Sequence, residues 1–301
     1  MPFRKLVARF GAGLVVSEMI ASKDMVLGRL GSREKAKLAD GIEHSAVQLA
    51  GRETHWMAEA ARMAEANGAK LIDINMGCPA KKVVSGYSGS ALLKDLDHAL
   101  DLIDAVVNAV KVPVSLKTRL GWDDRLHNAS DLARRAEDSG IAMITIHGRT
   151  RCQFYKGKVN WAAISKVKKA VNIPVVANGD IVDFTTAKEA LRQSRGDGIM
   201  VGRGACGKPW LLAEISKKFK DMTANNVPDN SEFCRIVAEH YEDILQFYGK
   251  DLGLRLARKH LGWYMNVAHT PLELRQTVLR AESSAKVLAS LPIAFERWNS
   301  E

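Results

Sequence analysis

A cysteine in a predicted tight turn is the residue of this sequence with the clearest chemical potential. Cys78 lies between Gly77 and Pro79, directly after an apolar run that is typical of a strand. Glycine and proline favour a turn that would present the thiol at the strand end. No histidine adjoins Cys78 to take its proton, and an ordinary thiol, with a pKa of about 8.5, is mostly protonated at neutral pH. The pattern favours a general acid over a nucleophile, whereas the commoner fate of a cysteine is a buried, inert thiol.

Polar side chains follow the other apolar runs in the same way. Alternate residues of a strand share a face, so the paired positions should point together: Gln48, Asp73 with Asn75, Lys117 with Arg119, His147, Asn178 with Asp180, and Arg203. Lys117 fits two roles, a Schiff-base nucleophile or a cation held against an electron-rich ring. His147 fits either a structural or a ligand-contacting role.

Glycines mark the last two strand ends. Gly179 lies in Asn178-Gly-Asp-Ile, and Gly202 lies in Val201-Gly-Arg-Gly-Ala. Glycine lets backbone N–H groups approach an anion closely, and Arg203 adds a charged fork of donors. The pattern predicts a phosphate site, for a phosphorylated cofactor or a phosphorylated substrate.

The elements that must position these residues alternate between strand and helix. Seven β-branched runs recur about thirty residues apart, the length of one βα unit, and they start at Leu14, Ser45, Lys70, Val112, Met143, Pro174 and Gly198. This predicts an α/β fold, a (β/α)8 TIM barrel whose active site lies at the C-terminal strand ends. Because eight strands are needed, a first strand is expected upstream of residue 1. The opening segment from Phe3 to Gly11 predicts a helix that ends at a glycine cap.

The pattern changes after Lys220. A linker is predicted from Asn225 to Ser231, followed by helices at about 232–248, 252–267 and 271–289. The predicted division is therefore a barrel domain over 1–222 and a small all-helical domain over 223–301.

The cysteine content, the apolar runs and the net charge exclude several classes of protein. The four cysteines of the 301 residues form no Cys-x-x-Cys pair, so neither a metal site nor a disulfide framework is expected, and a reducing cytoplasm fits. No apolar run is long enough for a membrane span. The net charge of +10 suggests a polyanionic partner, and the excess lies in the barrel, because residues 223–301 hold nine Lys/Arg and ten Asp/Glu.

Five segments of the barrel resemble the tRNA-dihydrouridine synthases, closest to their bacterial B-type branch: Asp73-Ile-Asn-Met-Gly-Cys-Pro-Ala-Lys-Lys, Ser115-Leu-Lys-Thr-Arg-Leu-Gly-Trp, Ile146-His-Gly-Arg-Thr, Ala177-Asn-Gly-Asp-Ile and Val201-Gly-Arg-Gly-Ala. Arg258-Lys-His-Leu-Gly-Trp-Tyr resembles their C-terminal domain. The resemblance implies an FMN-containing barrel joined to a helical tRNA-binding domain. NADPH would reduce the flavin, hydride would pass to C6 of a uracil removed from its stack, and Cys78 would protonate C5.

The resemblance also implies where the flavin lies. Gln48, Lys117 and His147 would contact its ring system, and the ribityl phosphate would be held by Asn178, Gly179, Asp180, Gly202 and Arg203. A monomeric cytoplasmic enzyme with no DNA partner is expected. Arg255, Arg258 and Lys259 share one helix face and would contact tRNA phosphates. In the family a first strand ends in a Pro-x-Ala turn under the flavin, and that strand is expected upstream of residue 1. The alternatives are a flavin barrel that reduces a small molecule and a flavin-free tRNA-binding protein.

Overall fold

The strands of this chain form one parallel sheet that follows chain order. The computed structural model describes residues 1–29, 31–32, 36, 44–221, 227–296 and 298. Its strands are β1 Val15–Val16, β2 Ile20–Ala21, β3 Ser45–Ala50, β4 Leu71–Met76, β5 Val114–Arg119, β6 Met143–His147, β7 Val175–Asn178 and β8 Gly198–Met200. The order is β1-β3-β4-β5-β6-β7-β8, with β2 also paired to β3. Among the described residues no strand pairing joins β8 back to β1, so the parallel sheet with its helices is that of an open barrel, and the predicted fold class is confirmed.

The edge of the sheet departs from the sequence prediction. The run from Leu14 forms only the two residues of β1, and β2 was not predicted. Both pieces pair with β3, through Val15 with Ser45 and Ile20 with Leu49, so they are one interrupted strand. Between the two pieces, the hydroxyl of Ser17 rather than a backbone carbonyl accepts the N–H of Gln48 at 2.9 Å. The other six predicted strands are present.

Helices connect the strands. In the part of the chain that contains the sheet they span Ser22–Val26, Thr54–Ala66, Lys81–Val84, Leu96–Val107, Ala129–Asp138, Trp161–Ala170 and Phe184–Ser194, with a 3-10 turn at Gly89–Lys94. Two glutamates near helix ends hold the turn before a later strand. Glu65 accepts the N–H groups of Lys111 and Val112, and Glu137 accepts those of Asn172 and Ile173. These bonds satisfy backbone donors at the bottom of the barrel, away from the predicted site.

The described chain divides into two compact units. The barrel unit holds Met1, Gly13–Ile181 and Thr185–Gly202, and the second unit holds Pro2–Ala12, Val182–Phe184 and Arg203–Glu301. The predicted boundary at 222 and 223, and the first two residues of the predicted linker, lie outside the described residues at 222–226.

The second unit is helical. Its helices are Pro2–Arg9, Leu211–Phe219, Asn230–Tyr248, Lys250–Val267, Leu272–Arg280 and Ser284–Ala294. The first ends as predicted, with Gly11 at φ +84° and Ala12 donating to the Val7 carbonyl. The single helix predicted over 271–289 is wrong. It is two helices, because Ser283 leaves the helical conformation and caps the N–H of Lys286.

An aromatic core holds the second unit together. Trp210, Phe233, Tyr264 and Phe295 are each at most 1% exposed, and the Phe233 ring packs 4.8 to 5.9 Å from the other three rings. Aromatic pairs at these distances stabilise a core beyond their buried area. No helix in the described part of the chain is long and apolar enough to cross a membrane.

Candidate active site

The turn after β4 fixes the backbone of Cys78 on both sides. The side-chain oxygen of Asn75 accepts the N–H groups of Gly77 at 3.1 Å and Cys78 at 2.9 Å. The Cys78 carbonyl accepts the N–H of Ser90 at 3.1 Å and its hydroxyl at 2.8 Å. Gly89 lets these segments meet, since a Cβ there would lie 2.9 Å from the Cys78 carbonyl oxygen. The partly buried thiol therefore starts from a well-defined backbone position.

A buried hydrogen-bonded chain leads to this turn. Ser115 donates its hydroxyl to one oxygen of Asp73 at 2.6 Å, and Gln48 donates its amide NH₂ to the other at 2.6 Å. The Gln48 oxygen accepts from the NH₂ of Asn75 at 2.8 Å. We call Ser115, Asp73, Gln48 and Asn75 the Asp73 network. It joins β3, β4 and β5, in which Gln48, Asp73 and Ser115 are register neighbours.

Lys117 lies beside this network, in register with Asn75. Burial lowers the pKa of Lys117 to about 8, with Arg119 adding to the decrease while Asp73 opposes it. Burial also raises the pKa of Asp73, against its hydrogen bonds from Ser115 and Gln48 and the charge of Lys117. The two side chains therefore partly compensate each other's burial.

The side chain of Arg119 binds backbone carbonyls and does not point into the open mouth of the barrel. Its side chain is 2% exposed and donates to the carbonyls of Gly77 at 2.7 Å, Thr150 at 3.0 Å and Phe154 at 2.8 Å. Arg119 thus ties the turn that carries Cys78 to the loop after β6. Its charge also depresses the pKa of Lys117.

His147 ends β6 as a buried, neutral imidazole. It is 6% exposed, and burial lowers its pKa to about 3, helped by the charges of Arg119 and Lys117. Its ring packs against Gly179, where a Cβ would lie 2.7 Å from the imidazole carbon. A neutral imidazole offers one donor and one acceptor to a ligand.

The depressed pKa of His147 predicts acid lability. The folded state favours neutral imidazole, so this contribution to stability is complete above the unfolded pKa of about 6.5 and is lost as the pH falls from there towards 3. We expect urea unfolding free energies to fall below pH 6.5 with a slope from His147 of up to about 1.4 kcal/mol per pH unit. His147→Gln should flatten that slope. His55→Gln, at an exposed histidine, is the control, and an equal flattening there would refute the assignment.

The turn after β7 is held by an arginine to which the sequence analysis gave no role. Arg149, 2% exposed, forms a two-pronged ion pair with both carboxylate oxygens of Asp180 and donates to the carbonyls of Lys156 and Gly157. The carboxylate of Asp180 is therefore committed to a cation. The sequence did offer one signal for Arg149, because it lies in the His-Gly-Arg-Thr segment that resembles the family.

The predicted phosphate residues lie on neighbouring strand ends. Asn178 donates its side-chain amide to the Met200 carbonyl at 2.8 Å, joining β7 to β8. Gly179 and Asp180 adopt positive φ angles of 117° and 50°. A Cβ at Gly202, after β8, would meet nothing within 4 Å, so its glycine leaves open space rather than relieving a clash. Arg203 follows and opens a 3-10 turn in the second unit.

A resident metal has no evident ligands here. In the described ranges no three His, Cys, Asp or Glu side chains are grouped to hold an ion. The side chains at the strand ends are instead amides, a cation, a neutral imidazole and glycine backbone, which suit a polar organic ring and its phosphate.

Comparison with known proteins identifies the family. The model of the dihydrouridine synthase family matches residues 1–299. The chain belongs to the dihydrouridine synthase family. Its members are flavin-dependent oxidoreductases that act on tRNA.

Curated family members match along most of the chain. A probable tRNA-dihydrouridine synthase of Rhodobacter capsulatus is 56% identical over 98% of this chain and 91% of its own length. That of Rickettsia conorii is 54% identical over 92% of this chain and 84% of its own. The tRNA-dihydrouridine synthase B of Xanthomonas campestris is 44% identical over 96% and 87%. The family predicted from the sequence is confirmed.

Solved structures support the fold of the dihydrouridine synthase chain. Morphinone reductase in complex with tetrahydroNAD is 16% identical, with a TM-score of 0.53 over 77% of this chain and 84% of that one. A 6-hydroxypseudooxynicotine amine oxidase of Pseudomonas geniculata is 14% identical, with a TM-score of 0.56 over 82% and 47%. At such identities the likeness concerns architecture alone.

Proposed function

We propose that this dihydrouridine synthase uses FMN as its resident flavin and NADPH as electron donor, and that Cys78 protonates C5 of a tRNA uridine. The observation that carries the proposal is the Cys78 turn, whose N–H and carbonyl are both tied down at a strand end. A general acid must be held within hydrogen-bond reach of the atom that it protonates. Such a turn supplies that placement before substrate arrives.

The surrounding residues fit a flavin. When bound, reduced FMN supplies the hydride that C6 of the uracil takes up. Lys117 would place a positive charge beside the electron-rich ring, and Gln48 and His147 would offer neutral donors and acceptors to its edge. Burial lowers the pKa of His147, so it would hydrogen-bond without adding a second charge beside Lys117.

The phosphate of the flavin fits the turns after β7 and β8. The backbone at Gly179 and Asp180, the side chain of Asn178 and the open space at Gly202 would receive it. The ion pair with Arg149 supports this assignment, because it removes the repulsion that a bare Asp180 carboxylate would exert on a phosphate.

The proton balance assigns one step to the thiol. Hydride at C6 and a proton at C5 saturate the C5–C6 double bond of the uracil. Cys78 gives up its thiol proton to C5, and the resulting thiolate recovers a proton from solvent before the next turnover. Because the substrate is tRNA, we place the activity in the cytoplasm, and we propose that a single chain carries it out.

The direct test is spectroscopic and chemical. We expect the purified protein to show flavin absorption bands, to release FMN by mass, to lose the bands on addition of NADPH, and to form dihydrouridine in tRNA that lacks it. A protein that stays colourless after incubation with FMN would refute the cofactor assignment. Reduction of a small molecule with no dihydrouridine formed would refute the substrate.

The helix Lys250–Val267 is the proposed contact with tRNA phosphates. Arg255, Arg258 and Lys259 are all exposed on it. We expect Arg258→Ala with Lys259→Ala to weaken tRNA binding and to reduce the slope of log K against log salt by about 1 to 2, as loss of two phosphate contacts requires. The control is Arg280→Ala with Lys286→Ala, two exposed cations on the following helices. An unchanged salt slope would remove Arg258 and Lys259 from the interface.

A further inference from the structure

The hydrogen bonds of the Asp73 network all run in one donor-to-acceptor direction, and the groups at its two ends determine that direction. At one end, Asp73 accepts with both carboxyl oxygens, one from Ser115 and one from Gln48. At the other end, the backbone N–H groups of Gly77 and Cys78 can only donate. Two side-chain amides, each with one donor end and one acceptor end, lie between them.

Only one arrangement of those amides satisfies both ends. Gln48 must turn its NH₂ towards Asp73, so its oxygen faces Asn75. Asn75 must then turn its NH₂ towards Gln48, so its oxygen faces the N–H groups of Gly77 and Cys78. If either amide were reversed, two donors or two acceptors would face each other. In a buried site, such unpaired polar groups lower the stability of the fold.

We propose that Asp73 is a positioning residue for the reaction: it sets the orientation of the Gln48 and Asn75 amides and, through them, the turn that holds Cys78. Asp73 is 2% exposed, so it acts through its neighbours rather than by touching the substrate. The inference rests on the proposed role of Cys78 for its catalytic consequence, while its structural part stands without it.

Ser115 gives the inference a specific signature. With Asp73→Asn, the new amide can keep its oxygen towards Gln48 and donate its NH₂ to the Ser115 hydroxyl, because a hydroxyl accepts as well as donates. The direction of the network then survives the exchange of the carboxyl group for an amide. With Ser115→Ala alone, Asp73 loses one donor and the direction again survives. With both changes, the new NH₂ has no acceptor in the native orientation, and the reversed orientation opposes the donors at the Cys78 turn.

The experiment is a double-mutant cycle read at Cys78 itself. The full-length protein and its variants are treated with limiting iodoacetamide, and mass spectrometry gives the ratio of labelling at Cys78 to that at Cys152, an exposed thiol that serves as internal reference. We expect each single variant to keep the ratio within about twofold and the double variant to change it by about tenfold. In turnover, kcat for dihydrouridine formation should fall by about tenfold to a hundredfold in the double variant, with KM for tRNA within about twofold.

A matched control separates orientation from the loss of a buried hydroxyl. Thr118, fully buried on the same strand, donates its hydroxyl to the Met76 carbonyl at 3.1 Å and lies outside the network. Asp73→Asn with Thr118→Val should give the product of the single effects. An equally simple product for Asp73→Asn with Ser115→Ala would overturn the proposal.

A conservative variant covers loss of folding. Ser115→Thr retains the hydroxyl, so Asp73→Asn with Ser115→Thr should fold and keep the parent labelling ratio even if the alanine double variant unfolds. If the threonine double variant also unfolds or shifts the ratio, the proposal fails. Because labelling needs neither flavin nor tRNA, it reports on Asp73 even if dihydrouridine formation proves independent of Cys78, which would refute the proposed acid instead.

Discussion

Cys78→Ala is expected to lower the rate of dihydrouridine formation by about 10² to 10⁴-fold, the contribution of a placed general acid, while NADPH still reduces the flavin at the parent rate. The two half-reactions separate because the thiol acts only when C5 of the uracil takes its proton. Stopped-flow bleaching of the flavin measures the first half-reaction. Single-turnover formation of dihydrouridine, with tRNA added to the reduced protein, measures the second.

Two further variants make the result for Cys78 specific. Cys152→Ala removes an exposed thiol and should leave both half-reactions unchanged. Cys78→Ser keeps a group of similar size but a much weaker acid, so it should stay slow. Dihydrouridine formation by Cys78→Ala at the parent rate would show that another group or solvent delivers the proton.

Gly179→Ala should cost the protein both flavin and stability. Its φ of +117° is unfavourable for an alanine, and the added Cβ would lie 2.7 Å from the His147 ring and 2.8 Å from Val159. Backbone strain and overpacking of this kind together cost about 3 kcal/mol. Because the same turn is the proposed phosphate site, we also expect flavin affinity to fall by tenfold or more, which corresponds to about 1.4 kcal/mol. Urea unfolding of the flavin-free protein and FMN titration measure the two effects.

Substitutions at two other glycines separate backbone strain from the loss of phosphate binding. Gly157 has a φ of +69° with nothing within 4 Å of an added Cβ, so Gly157→Ala should show strain alone, about 1 kcal/mol. Gly202 has open space and no positive φ, so Gly202→Ala should leave unfolding unchanged and weaken only FMN binding. Full FMN affinity in Gly202→Ala would mean that the open space at Gly202 is not where the phosphate lies.

The sequence predicted the parts of the fold that depend on local pattern. Continuous apolar runs such as 71–76 are recognisable because a parallel strand is buried on both faces, and the Gly-Cys-Pro turn is recognisable from its residue types. The interruption at Ser17 was not, since the contact found there joins a hydroxyl to the N–H of Gln48 across the sheet. The helix break at Ser283 depends on a capping bond within a run that is otherwise compatible with helix.

The candidate site shows the same limit. Alternation along the strands placed Gln48, Asp73 and Lys117 at one edge, and they are neighbours there. The alternation of faces does not predict which hydrogen-bond donor pairs with which acceptor. Asp180 pairs with Arg149, and Arg119 donates to three backbone carbonyls. These contacts join residues about 30 or more positions apart in the chain, so no local sequence pattern predicts them.

The loop after β6 is held by its backbone, and this bears on how the protein can change. Arg119 and Arg149 grip the carbonyls of Thr150, Phe154, Lys156 and Gly157, and a carbonyl is present whatever the side chain. Mutations of Lys156 and Lys158, both exposed, can therefore vary the outward chemistry of the loop without reshaping it. Insertions, by contrast, would shift the carbonyls out of reach. The loop should be open to diversification by substitution and closed to change in length, a constraint that a randomised library with fixed arginines would reveal directly.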